Sequence, residues 1–192
     1  MTVGATRPVA AALSEQGATG GSLPSGQLAF GLVKGGTWLA AFLGLLLVGQ
    51  PAQAASNKVR ITSLSDVAFG TIANLSVDGI RSQDLCLFAD TATTGYNITA
   101  TGTGPGGAFQ LSAGLGSMAY EVQWSSTSGQ SVGTQLSPNV PLTGQASAAT
   151  HQLCANGPAT SASLIIVLRA SALSSARAGT YSGNLTLVVG AE

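Results

Sequence analysis

Charge is what this sequence has least of. Asp, Glu, Lys and Arg make up 7% of the 192 residues, and the net charge is zero. An ordinary soluble domain carries roughly 25%. The few Lys and Arg are scattered, so the basic patch of a nucleic-acid binder is missing and no nucleic-acid partner is expected. One histidine, His151, leaves any catalytic triad or zinc site a single imidazole to work with. No stretch holds a helical period for long. Gly, Ser, Thr and Ala fill the chain instead, a composition of strands and turns.

The one long apolar run is Trp38 to Val48, preceded by Lys34 and followed by Gly49, Gln50, Pro51 and Ala52-Gln53-Ala54. A positive start, a short apolar centre and an Ala-x-Ala end describe a secretory signal peptide over 34–54, cleaved after Ala54. The run falls well short of the roughly 20 residues that cross a bilayer, so no membrane span is expected after cleavage. Residues 1–33 are Gly- and Ala-rich, nearly uncharged and without periodicity, and read as unstructured. A coding start at Val33 would give a signal of ordinary length, which points to a misplaced start. The mature domain is then 55–192.

Within that domain, short alternating runs are separated by Gly, Ser, Asn and Pro, the pattern of a β-sandwich or barrel. Val59 and Ile61 alternate with Arg60 and Thr62 in a first strand. The run Val67 to Ile72 is expected to continue or kink it, with Gly70 at a bulge. Leu85 to Phe88 makes a second run, and Tyr96, Ile98 and Ala100 share one face of a third. Met118, Tyr120, Val122 and Trp124 alternate without a break. Residues 125–150 read as a long polar connection, and the most mobile one. Gln152 to Cys154 and Ala162 to Arg169 are expected as strands, the second central because both its faces are apolar. A turn around Ala172 to Gly179 leads to a final strand, on which Tyr181, Leu185, Leu187 and Val189 share one side.

Three motifs suggest chemistry, and their contexts argue against it. Gly129-Gln130-Ser131-Val132-Gly133 matches the hydrolase nucleophile elbow, which needs a strand before it and a helix after it. Neither flank supplies one. Gly102 to Gly107 satisfies Gly-x-Gly-x-x-Gly, but the next residues read as a strand rather than the helix that would receive a pyrophosphate. A zinc site of Cys86, Cys154 and His151 has no evident fourth ligand. No cofactor or metal is expected. In an exported chain Cys86 and Cys154 most simply pair with each other; two buried thiols, or a link between chains, are the alternatives.

The order Asp66-Val67-Ala68-Phe69-Gly70-Thr71, Cys86, Tyr96-Asn97-Ile98-Thr99, Met118-Ala119-Tyr120-Glu121-Val122 and Ala178 to Leu187 resembles the spore coat protein U family, whose members are the pilins of archaic (Csu-type) chaperone-usher fimbriae. The resemblance implies an all-β, immunoglobulin-like sandwich that is incomplete, lacking its final G strand. It also implies export through the periplasm to a cell-surface fimbria. The partners implied are a periplasmic pilus chaperone, an outer-membrane usher and other pilin subunits, each engaged by donor-strand addition. Two departures stand out. Cleavage after Ala54 would leave only Ala55 to Lys58 ahead of Val59, so unless Val59 to Leu64 serves as the donor the subunit receives a strand without giving one, which suits a tip or terminating subunit. The first strand lacks the cysteine that often partners the position of Cys86, so the bridge would be rewired to Cys154.

The expectation is therefore a non-enzymatic structural or adhesive subunit. Val59, Ile61, Leu185, Leu187 and Val189 would wall an open acceptor groove, and the uncomplemented chain would aggregate. A self-contained secreted coat or carbohydrate-binding module of the same sandwich is the alternative, with some segment of 125–150 filling the missing position. A hydrolase using Ser131 and His151 comes third.

Overall fold

A computed structural model describes residues 57–192 except Leu115. The signal segment, its cleavage point and the stretch ahead of it lie outside the described residues. Ten strands and one short helix are described: β1 (Lys58–Thr62), β2 (Gly79–Asp90), β3 (Gly95–Gly102), β4 (Gln110–Ala113), β5 (Gly116–Ala119), β6 (Glu121–Ser125), β7 (Thr134–Gln135), β8 (Leu142–Ala146), β9 (Ala162–Leu168), α1 (Ala170–Ser175) and β10 (Leu185–Ala191). They form a five-stranded sheet in the order β1-β2-β9-β6-β7, a three-stranded sheet β10-β3-β8 and a β4-β5 hairpin. Every strand pairing is antiparallel.

This is the order of an immunoglobulin-like sandwich. β1-β2-β9-β6 follow A-B-E-D, and β3 and β10 follow C and F. The seventh strand of a complete sandwich, G, would lie beside β10 on the edge away from β3. Among the described residues no strand occupies that edge. β9 is buried at every position, as its doubly apolar sequence requires for a strand between β2 and β6. One main core fills the space between the sheets, drawing Leu85 and Leu87 from β2, Tyr96 and Ile98 from β3, Val122 and Trp124 from β6, and Leu185 and Leu187 from β10.

The structure departs from the sequence reading where pairing, rather than periodicity, decides. Val67 to Ile72 forms no regular strand. Gly70 adopts φ +66°, and Phe69 turns inward beneath the Arg81 guanidinium, 5.6 Å above its ring. The run at Leu85 to Phe88 is part of a twelve-residue strand whose polar first half is held by β9. Met118, Tyr120, Val122 and Trp124 are all buried, yet their strand breaks at Tyr120, whose N–H donates to the Phe109 carbonyl at 3.0 Å. β5 then pairs with β4 while β6 joins the large sheet. The polar connection 125–150 contains β7 and β8.

Gln152 to Cys154 is a turn rather than a strand, with Cys154 at φ +52° and its N–H donating to the His151 carbonyl at 2.8 Å. The expected turn after β9 begins as a helix, α1, which buries Leu173. Its start is secured from a distance: Asp78 Oδ1 accepts the Ala170 N–H at 2.8 Å, and Arg169 bridges Asp78 and Glu121.

The Ala170 N–H, and after it Arg169, hold the Asp78 carboxyl below its ordinary range. A depressed folded-state pKa adds stability above the unfolded value of about 3.9, and that stability is lost as pH falls through the folded value. Asp78→Asn should therefore flatten the acid limb. The urea midpoint of the parent should drop more than the variant's between about pH 5 and about pH 3. The effect is small because all three side chains meet solvent.

Candidate functional site

The site is the seam where the two sheets meet at their β1 and β10 edges. On β1, Ile61 is buried and Val59 half-buried, both facing the core, while Lys58 and Arg60 are exposed. On β10, Leu185 and Leu187 are buried and Val189 half-buried on the core side, with Thr186 and Val188 outside. Among the described residues β1 pairs only with β2, from Lys58 opposite Asp90 to Thr62 opposite Cys86. Among them, too, β10 pairs only with β3, from Leu185 opposite Gly102 to Ala191 opposite Tyr96. Because β2 ends where β3 begins, Lys58 and Ala191 share one end of the seam. The two strands thus run antiparallel across it.

Val59, Ile61, Leu185, Leu187 and Val189 all lie on the core side of these two edge strands, and the seam between the strands is shut. β1 and β10 approach within 8 Å, Cα to Cα, with no hydrogen-bonded ladder between them. Ile61, Leu185 and Leu187 are 5%, 8% and 6% exposed. The apolar stripes are out of water, while among the described residues the backbone edge of β10 away from β3 has no strand partner. The internal segment that could have filled the gap does not: β8 lies at the opposite edge of β3. Tyr181 to Asn184 precede β10, and there Ser182 pairs with Ser112 of β4.

Cys86 and Cys154 are bonded, S–S 2.06 Å. Cys86 alternates away from Leu85 and Leu87, so the bridge lies on the outer face of the large sheet. There it forms a second small core with Ala149 and Phe88. With both sulfurs committed, the zinc set is gone, and among the described residues no group of three or more His, Cys, Asp or Glu could hold a metal.

Ser131 is exposed in the β6–β7 loop, with β7 rather than a helix after it. His151 Nδ1 accepts the Leu153 N–H at 3.3 Å within its own turn. The geometry does not join the two. The Gly102 to Gly107 loop passes through a short 3-10 turn, Pro105–Gly107, into β4, so it too lacks the helix a dinucleotide requires.

Sequence reasoning missed a cleft of about 420 Å³ lined by Ile72, Leu75, Leu173 and Arg177 among others. Its walls come from irregular segments and the short helix α1, too short to show a period. Among the described residues no helix is long and apolar enough to cross a membrane.

No family model matches the chain, and no curated protein matches it. Among solved structures it is similar to a chain from a chaperone–tip adhesin complex of CFA/I fimbriae biogenesis. The identity is 15% and the TM-score 0.46, over 71% of this chain and 42% of that one. The chain thus spans less than half the length of the structure it matches, and likeness at this level does not fix a family.

Proposed function

We propose that this chain is a non-enzymatic, exported subunit of a surface fimbria, completed by a strand from another chain. The observation that carries the reading is the sheet order: A-B-E-D opposite C-F, with the G position beside β10 empty among the described residues. An added strand would satisfy the backbone edge of β10 and set alternate side chains against Leu185, Leu187 and Val189. The strand comes first from a periplasmic chaperone and then, at an outer-membrane usher, from a neighbouring pilin. A mature N-terminus at Ala55 would leave little chain to donate in return, and a tip or terminating position fits that.

Two measurements in the chain's own cells test this. Immunogold labelling should decorate surface filaments, and deleting the gene should remove or shorten them. Label confined to soluble monomer, with filaments unchanged, would sink the proposal. Sequencing the mature N-terminus tests the position: a start well upstream of Ala55 restores a donor segment and removes the tip assignment.

A second reading, a self-contained secreted coat or carbohydrate-binding module, is favoured by one observation, the shut seam. It requires a purified chain that stays monomeric and takes up no added strand.

A further inference from the structure

We infer that β1 is a gate over the β10 edge, hinged at Ser63, and that a strand enters only when β1 swings away. The inference rests on the proposed strand acceptance and adds the step that acceptance must begin with. Paired strands lie about 4.8 Å apart, so a strand placed between two edges separates them by about 9.6 Å. Where β1 and β10 come within 8 Å, the seam has no room for one. Side chains do not leave space either, since Ile61 and Leu187 are 5% and 6% exposed.

One of the two strands must yield, and they are not equally held. β10 is in continuous register with β3 over seven residues, and β3 is itself held by β8. β1 has five residues and, among the described residues, a single neighbour, β2. Directly after it, Ser63 takes φ +64°, a left-handed conformation that costs a non-glycine residue, and irregular chain follows as far as Val77. Shut, the gate leaves the β10 edge without a strand among the described residues; open, it gives the edge a partner. The shut position therefore hides the apolar stripe of a free subunit while remaining the less satisfied arrangement of its polar groups.

Locking the free end of the gate tests the inference. Lys58→Cys and Ala191→Cys, at the end of the seam away from Ser63, place two reactive thiols on exposed positions, the native cysteines being paired. The full mature chain carrying both is compared before and after a short bis-maleimide joins them. The probe is a fluorescent synthetic peptide of alternating Val and Thr with lysine ends, roughly ten residues long so as to span β10. The unlinked chain should capture the peptide, and the linked chain should lose at least about ten-fold in affinity, one 1.4 kcal/mol step. Equal capture by both forms overturns the gate and leaves strand acceptance standing. Capture by neither overturns both.

Discussion

Replacing Trp124 by alanine should lower the unfolding free energy by about 3–5 kcal/mol, read from urea denaturation. Trp124 is 1% exposed on β6 and faces Leu164 of β9 in register. Its indole Nε1–H donates to the Tyr96 hydroxyl at 3.0 Å, and the two rings meet edge to face with centroids 6.4 Å apart. Since β6 belongs to the large sheet and β3 to the small one, this contact ties the two layers of the sandwich. Truncation opens a cavity there and takes away Tyr96's donor at the same time. A loss below about 1 kcal/mol would mean that the layers close over the gap, and that the tie is not the anchor described.

The polar half of this contact can be separated from its packing by a pair of phenylalanine variants. Burial pushes the phenols of both Tyr96 and Tyr120 up to about 12, the Trp124 bond partly opposing it at Tyr96, so both stay neutral across the working range of pH. Their hydroxyls differ in one respect: Tyr96 accepts from Trp124, whereas the Tyr120 hydroxyl is buried with no partner. Tyr96→Phe leaves an indole N–H stranded and should cost about 1–3 kcal/mol. Tyr120→Phe removes a stranded hydroxyl beside the Phe109 ring, 5.7 Å between centroids, and should be neutral or slightly stabilising. Equal losses in the two variants would show that size alone, not the bond, sets the effect.

Period-2 burial was legible in the sequence, whereas the choice of partner was not. Tyr96, Ile98 and Ala100 face inward on β3 as their alternation demands, and so do Leu185 and Leu187 on β10. Alternation specifies a face of the sheet without specifying which strand lies alongside. For that reason Met118 to Trp124 reads as one strand although Met118 and Ala119 pair with β4 while the residues from Glu121 on pair with β9. The helix at Ala170 was hidden for a related reason. Its capping group is not the preceding residue but Asp78, which the fold brings in from the start of β2. The seam was half legible: the inward faces of β1 and β10 can be read from their alternation, but its closure depends on how far β1 leans toward β10. No local pattern encodes that.

The second large effect is expected at the disulfide, whose two cysteines lie 68 residues apart in the sequence. In the chain-entropy account, closing a loop of that length stabilises the fold by about 4 kcal/mol, so Cys86→Ala/Cys154→Ala should lose about that much in urea. The same account places the effect in the unfolded chain, which becomes more expanded without the link. The urea m-value of the double variant should therefore rise as its midpoint falls. The native fold around the lost bridge should survive, because side chains hold the 147–161 segment to β2 independently. Ser161 Oγ accepts the Leu87 N–H at 2.9 Å and donates to the Leu87 carbonyl at 2.7 Å, and Ser147 Oγ donates to that same carbonyl. β9 begins in register with Leu85, so these serines satisfy Leu87 just outside the start of β9. What loosens is the chain between them, with Ala149 and the Cys154 turn lifting off Phe88. Hydrogen exchange in the double variant should accordingly rise across 148–160 and stay low at Leu87 and along β9. A stability loss below about 1 kcal/mol with an unchanged m-value would reject the entropic account for this chain. Rapid exchange at Leu87 would show instead that the bridge, not the serines, holds the segment to the sheet.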